Sequence, residues 1–219
     1  MTLFDDLKTA IDTDWTDYTD HAFVRMLGDG TLPLAAFQDY LVQDYLFLIQ
    51  FARANALAAY KSRNLRDITG AAESLGVILE ETSLHRRLTA RWGISEERLD
   101  ATPEKQATVA YTRYVLDSGM SGDLLDLHVT LAPCVIGYAE IGAALAPRLA
   151  EREDHPYAEW IGEYASDDFQ AASRAAVARL DTLSDGTVAP ERFARLVTVF
   201  RAATRLEADF WQQGLNAAE

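Results

Sequence analysis

The sequence predicts an all-α protein, a single-domain helical bundle of seven or eight helices. Apolar residues recur near the 3.6-residue period along most of the chain. Proline and glycine stand at the starts and ends of those periodic runs. No stretch shows the two-residue alternation of a half-buried strand. The 219 residues, 49% of them apolar, suffice for one sizeable core, because single cores grow to about 250 residues. Short loops, no low-complexity linker and no internal repeat make residues 1–219 one domain in this reading.

A first helix is expected over 3–27, where Leu3, Leu7, Ile11, Trp15, Tyr18, Phe23 and Leu27 share the period, and Gly28-Asp29-Gly30 ends it. Pro33 opens a second helix through Phe37, Tyr40, Leu41, Tyr45, Leu48 and Phe51 to about 60, and a third spans 65–92 up to Gly93. Ser95 caps a short turn. Thr102-Pro103-Glu104 is read as an N-cap with proline at the first helical position, starting a helix to 118. After Ser121-Gly122-Asp123 a long apolar helix is expected over 123–150. His155-Pro156 starts a short one through Trp160 and Tyr164, another covers 166–183, and Pro190 opens the last, to 216.

Charge and cysteine content narrow the function classes. There are 34 acidic residues against 20 basic ones, a net charge of −14. No basic footprint for nucleic acid is visible. Of the basic residues only Lys8, Lys61 and Lys105 are lysines, and the acids are spread over helix faces; both point to a salt-adapted, halophile-like surface rather than an ordinary acidic one. A single cysteine builds no internal disulfide. The first residues, Met1-Thr2-Leu3-Phe4-Asp5-Asp6, lack the basic and apolar regions of a signal peptide, and no run of 18 uncharged apolar residues is present. The expectation is a cytoplasmic protein without a membrane span.

Cys134 is the outstanding chemical group. It lies in Leu131-Ala132-Pro133-Cys134-Val135-Ile136-Gly137-Tyr138, inside a helical run. Interior proline costs about 3 kcal/mol, since it removes a backbone bond and clashes with the preceding turn. Such a cost beside the only thiol suggests a backbone distorted to aim it, against the plainer reading of a buried cysteine as a small hydrophobe. Tyr138, four residues on, shares its face. Asp44 and Glu207 stand in apolar surroundings, where a carboxyl is costly unless hydrogen-bonded or neutral; each could instead face solvent. Tyr111, Tyr114, Tyr138 and Tyr164 place hydroxyls among apolar neighbours, as small-molecule sites do. Glu81 and His85 share a helix face and could contribute to a metal site, although a surface ion pair explains the spacing as well. There is no phosphate-binding glycine loop and no nucleophile elbow.

Together these segments resemble one family. Gln43-Asp44-Tyr45-Leu46-Phe47-Leu48, then Tyr111, then Leu131-Ala132-Pro133-Cys134 with Gly137-Tyr138, then His155-Pro156-Tyr157 with Trp160-Ile161 and Tyr164, and finally Glu207 with Phe210-Trp211 follow the order and spacing of TenA-type proteins. This is the thiaminase II or aminopyrimidine aminohydrolase group, of haem-oxygenase-like helical fold. The resemblance covers essentially the whole chain and falls on the cysteine-bearing branch. It implies Cys134 as nucleophile and Glu207 as acid/base. It implies Asp44 on the aminopyrimidine edge, Phe47 and Tyr111 sandwiching the ring, and Tyr138 and Tyr164 lining the pocket.

The implied reaction converts 4-amino-5-aminomethyl-2-methylpyrimidine to the hydroxymethyl compound and ammonia, a thiamine salvage step, with thiamine as a possible second substrate. No cofactor and no metal are implied. The implied assembly is a homotetramer with a small-molecule partner only. Three alternatives stay open: a di-iron oxidase of the same fold drawing on Glu81, His85 and other carboxylates, a non-catalytic pyrimidine-binding or regulatory protein, and a helical scaffold with a core cysteine.

Overall fold

In a computed structural model, residues 2–150 and 152–218 are described, apart from seven side chains between residues 77 and 88, Glu81 among them. Twelve α-helices and one π-helical segment are present among the described residues, with no strand. The all-α class is as expected, and the helix count is higher for identifiable reasons.

The expected first helix is three: α1 (Leu3–Ala10), α2 (Asp12–Thr19) and α3 (Ala22–Gly28). The Thr2 hydroxyl accepts from the Asp5 N–H while the Asp5 carboxylate accepts from the Thr2 N–H, a reciprocal cap that starts α1. Ile11 ends α1 by turning its N–H back to the Lys8 carbonyl. His21 starts α3, its Nδ1 accepting from the Phe23 N–H. Leu7, Ile11, Trp15 and Tyr18 are nonetheless all buried, so the apolar period runs unbroken through the breaks.

Next come α4 (Leu34–Lys61), α5 (Leu65–Arg91), α6 (Glu96–Ala101) and α7 (Gln106–Ser121). The last begins later than expected. Thr102 closes α6, its hydroxyl donating to the Arg98 carbonyl, and does not cap α7. The expected helix over 123–150 is divided into α8 (Leu124–Ala132), the π-helical segment Pro133–Gly137 and α9 (Tyr138–Leu149). This whole stretch is long and apolar enough to cross a membrane, but 67% of its most apolar window is buried within the protein, as in a core helix. The remaining helices are α10 (Ala158–Ala165), α11 (Asp167–Leu183) and α12 (Pro190–Asn216).

The chain divides into two units. The first comprises residues 1–32 and 128–211. Its centre is an aromatic cluster in which Trp15 stacks on Phe200 and meets Phe4 edge-on, while Trp211 stacks on Phe23. Helices α9 and α10 lie so close that a Cβ on Gly142 would stand 2.5 Å from the Tyr164 backbone carbon. His155 fastens the loop before α10, donating from Nε2 to the Gly28 carbonyl and accepting at Nδ1 from the Tyr157 N–H.

The second unit comprises residues 33–127 and 212–219. Here α4 packs along α5 and α7. A buried amide holds its middle: Gln43 Oε1 accepts from the Lys105 N–H at 2.8 Å and the Thr108 hydroxyl at 2.6 Å, and Nε2 donates to the Pro103 carbonyl. With both ends of its amide engaged, Gln43 fixes the rotation of α4 and therefore the direction taken by Asp44 beside it.

Candidate active site

In the first unit, Pro133 has the consequence its chemistry suggests. It supplies no backbone donor, and the chain around Cys134 adopts the wider π turn. Such turns are rare and occur mostly as single distortions inside α-helices, often at functional positions. Pro133, Ile136 and Gly137 are buried, whereas Cys134 is only partly so. A purely structural thiol would be expected among the most buried groups. This one keeps a face to the outside.

The other residues expected of this unit gather on one aromatic assembly. Tyr138 lies 4.9 Å from Tyr164 and 5.2 Å from Trp211, ring centroid to ring centroid, and Trp160 closes on Tyr164 at 4.5 Å. Glu207 is 1% exposed and stands one helical turn before Trp211 on α12. Cys134 stands about one turn before Tyr138. The Tyr138–Trp211 contact thus joins the start of α9, directly after the segment bearing the thiol, to the helix bearing the buried carboxyl.

In the second unit, Asp44 is resolved in favour of burial, at 6% exposure on the inner side of α4. Loss of water lifts its carboxyl from 3.8 to about 7. From α5, His85 presents Nδ1 at 3.7 Å from Asp44 Oδ2, and its Nε2 lies 3.0 Å from the Leu41 carbonyl oxygen. A carbonyl only accepts, so Nε2 carries a hydrogen and Nδ1 is the ring atom that faces the carboxyl. Sequence reasoning considered His85 only beside Glu81, whose side chain lies outside the described residues; nothing in the spacing pairs residues 44 and 85, which sit on different helices. Among the described residues no group of three or more His, Cys, Asp or Glu side chains could hold a metal ion.

Phe47 and Tyr111, expected to sandwich a substrate ring, stack on each other, with centroids 5.2 Å apart and planes 22° apart. A ring held between them needs about 7 Å, two aromatic contacts of about 3.5 Å each. In this structure the pair is closed.

An all-α protein with a thiol on a distorted helical turn and a buried carboxyl in the same unit is the class that fold and site define. The comparisons narrow it: the TENA/THI-4/PQQC family model matches residues 9–217, and the chain belongs to that family. A protein of Halalkalibacterium halodurans named aminopyrimidine aminohydrolase is 39% identical over 204 residues, 92% of this chain and 90% of that one. The Bacillus subtilis protein of the same name is 30% identical over 214 residues, 96% of this chain and 89% of that one. The crystal structure of a TenA family transcription regulator from a Silicibacter species is 44% identical, with a TM-score of 0.90 and coverage of 97% of this chain and 96% of that one.

Proposed function

We propose that this protein is an aminopyrimidine aminohydrolase of thiamine salvage. It releases ammonia from 4-amino-5-aminomethyl-2-methylpyrimidine and leaves the hydroxymethyl compound. Thiamine, whose leaving group is the thiazole, is a second substrate for the same attack. The names of the two bacterial relatives support this reading. The observation that carries it is Cys134, partly exposed on a π turn, in the same unit as the buried Glu207.

The thiolate of Cys134 adds to a ring carbon, and the electron pair this displaces expels the amine from the exocyclic methylene. Glu207 protonates the departing nitrogen. Water then adds to the methylene carbon, giving its proton to the Glu207 carboxylate, and the carbon–sulfur bond breaks to restore the ring and the thiolate. Covalent addition divides one difficult displacement into easier steps. Asp44 meets the edge made by a ring nitrogen, which accepts, and the exocyclic amine, which donates. A carboxyl with its pKa near 7 offers one donor and one acceptor when protonated, the complement of that edge. Phe47 and Tyr111 separate to take the flat ring, and Tyr138 and Tyr164 line the pocket.

The finer features follow the same resemblance. The two units act as one domain, which the continuous family match over residues 9–217 supports. The protein works in the cytoplasm as a homotetramer, in which Tyr60, Leu65 and Met120, 84%, 78% and 64% exposed in the single chain, are apolar side chains for a partner subunit to cover. The acidic surface suits a salty cytoplasm. The relative described as a transcription regulator favours a second reading, a pyrimidine-responsive regulator, although a net charge of −14 opposes direct contact with nucleic acid.

Ammonia release from the aminomethylpyrimidine, measured for wild type and Cys134→Ser at low and high salt, tests the proposal. Wild type releases ammonia, while the serine variant binds the pyrimidine and does not turn it over. No release from folded wild type, with binding retained, establishes the regulator instead. Full activity of the serine variant overturns covalent catalysis.

A further inference from the structure

We infer that Tyr18 is the positioning residue of the π-helical segment that carries Cys134, holding that segment at both ends with one side chain. The inference rests on the reading of Cys134 as the nucleophile.

Three observations on Tyr18 converge. Its hydroxyl donates to the carbonyl of Pro133, the first residue of the segment, at 3.1 Å in a buried bond. Its ring covers Gly137, the last residue: a Cβ there would lie 2.3 Å from Tyr18 Cε1 and 2.6 Å from its hydroxyl oxygen. No side chain at 137 is compatible with the ring where it is, so Gly137 is the vacancy that admits it. The ring itself is fully buried and fixed from both sides, edge-on by Trp15 at 5.7 Å and stacked by Trp211 at 6.4 Å with planes 14° apart.

A π turn is less favourable than the α turn it replaces, and it persists where surrounding structure over-determines it. Tyr18 provides both a polar restraint and a steric one. The hydroxyl gives a buried carbonyl its partner, and the ring occupies the space into which the segment would tighten. Relaxation toward α geometry would rotate each residue of the segment relative to α8 and carry the Cys134 sulfur off its line of attack. Trp211 adds a connection, because the residue that stacks on Tyr18 is one turn from Glu207. The same ring that holds the thiol's segment therefore bears on the helix of the proposed acid.

The test is Tyr18→Phe, which keeps the ring and removes the hydroxyl. A misplacement of about 1 Å can cost on the order of a hundredfold in rate. The expected result is kcat lowered by about ten- to a hundredfold, with KM for the aminomethylpyrimidine within about twofold. Alkylation of Cys134 by iodoacetamide should slow by a comparable factor while the circular dichroism spectrum is unchanged. Gly137→Ala, which expels the ring, should give the same pairing of effects and decides the matter if Tyr18→Phe fails to fold. Wild-type kcat and alkylation rate in a folded Tyr18→Phe protein would overturn the inference. Failure of the nucleophile reading is separable: it shows as an active Cys134→Ser protein, and the alkylation rates then still judge Tyr18.

Discussion

Replacing Asp44 by asparagine should make the protein more stable at pH 8 and leave its stability unchanged at pH 4. The carboxyl is buried on α4, and burial lifts it from 3.8 to about 7. Between those values the unfolded chain has released its proton and the native chain has not. Unfolding therefore releases a proton, and native stability falls as pH rises through this window, levelling off above about 7. At about 1.36 kcal/mol per pH unit, the cost reaches about 4 kcal/mol on the alkaline side. Asparagine has nearly the same shape and no charge to desolvate, so Asp44→Asn removes that cost. A protein of this size gains roughly 2–4 °C in Tm per kcal/mol, so the variant should melt on the order of 10 °C higher at pH 8. Urea unfolding followed by circular dichroism, for both proteins from pH 4 to 8.5, reads the difference directly, since all other titrating groups are shared. A difference that stays constant across the range, or a variant less stable at pH 8, would refute the argument. The same variant should bind the pyrimidine poorly, the usual exchange of stability for function at a strained site.

Other outcomes follow from the same geometry. Gly142→Ala forces a Cβ to within 2.5 Å of the Tyr164 backbone, which cannot yield as a side chain can; a loss of about 2–3 kcal/mol in urea unfolding is expected, and a neutral result would sink the close-packing argument. With a net charge of −14, stability should rise between 0.1 and 2 M KCl as the Debye length shrinks from about 10 Å to about 2 Å; a flat or falling curve would remove the case for salt adaptation. Leu65→Glu should shift the protein toward smaller species in analytical ultracentrifugation, and an unchanged sedimentation coefficient would exclude the exposed turn as an interface. Phe47→Ala should raise KM for the aminomethylpyrimidine by about tenfold, consistent with about 1–1.5 kcal/mol for a lost aromatic contact; an unchanged KM would detach Phe47 from ring binding.

Hydrophobic periodicity located nearly every helix, but it is blind to hydrogen bonds that interrupt a helix without disturbing its apolar face. The stretch 3–27 is the clearest case: the breaks at Ile11 and His21 are made by backbone and imidazole bonds, and the buried face continues across them. Thr102 shows a cap signature misread for a related reason, since the same hydroxyl can close one helix or open the next. Pro133 was legible because its lost donor has one local consequence. The direction faced by Asp44 was not, because it depends on the Gln43 amide finding the Lys105 N–H and the Thr108 hydroxyl, more than 60 residues away. The Asp44–His85 contact and the closed Phe47–Tyr111 stack likewise join separate helices, and no spacing along one helix encodes them.

The distribution of tryptophans supplies an optical consequence. Trp15, Trp160 and Trp211 belong to the aromatic cluster of the first unit, while Trp92 packs against Phe37 in the second. Indole emission is therefore dominated by one unit, and a Trp92→Phe protein would report on that unit alone, with a lone Trp92 as its mirror. Melting curves from the two single-colour proteins would coincide for one cooperative body and separate for two, which makes the chain its own gauge of how many folding units it contains.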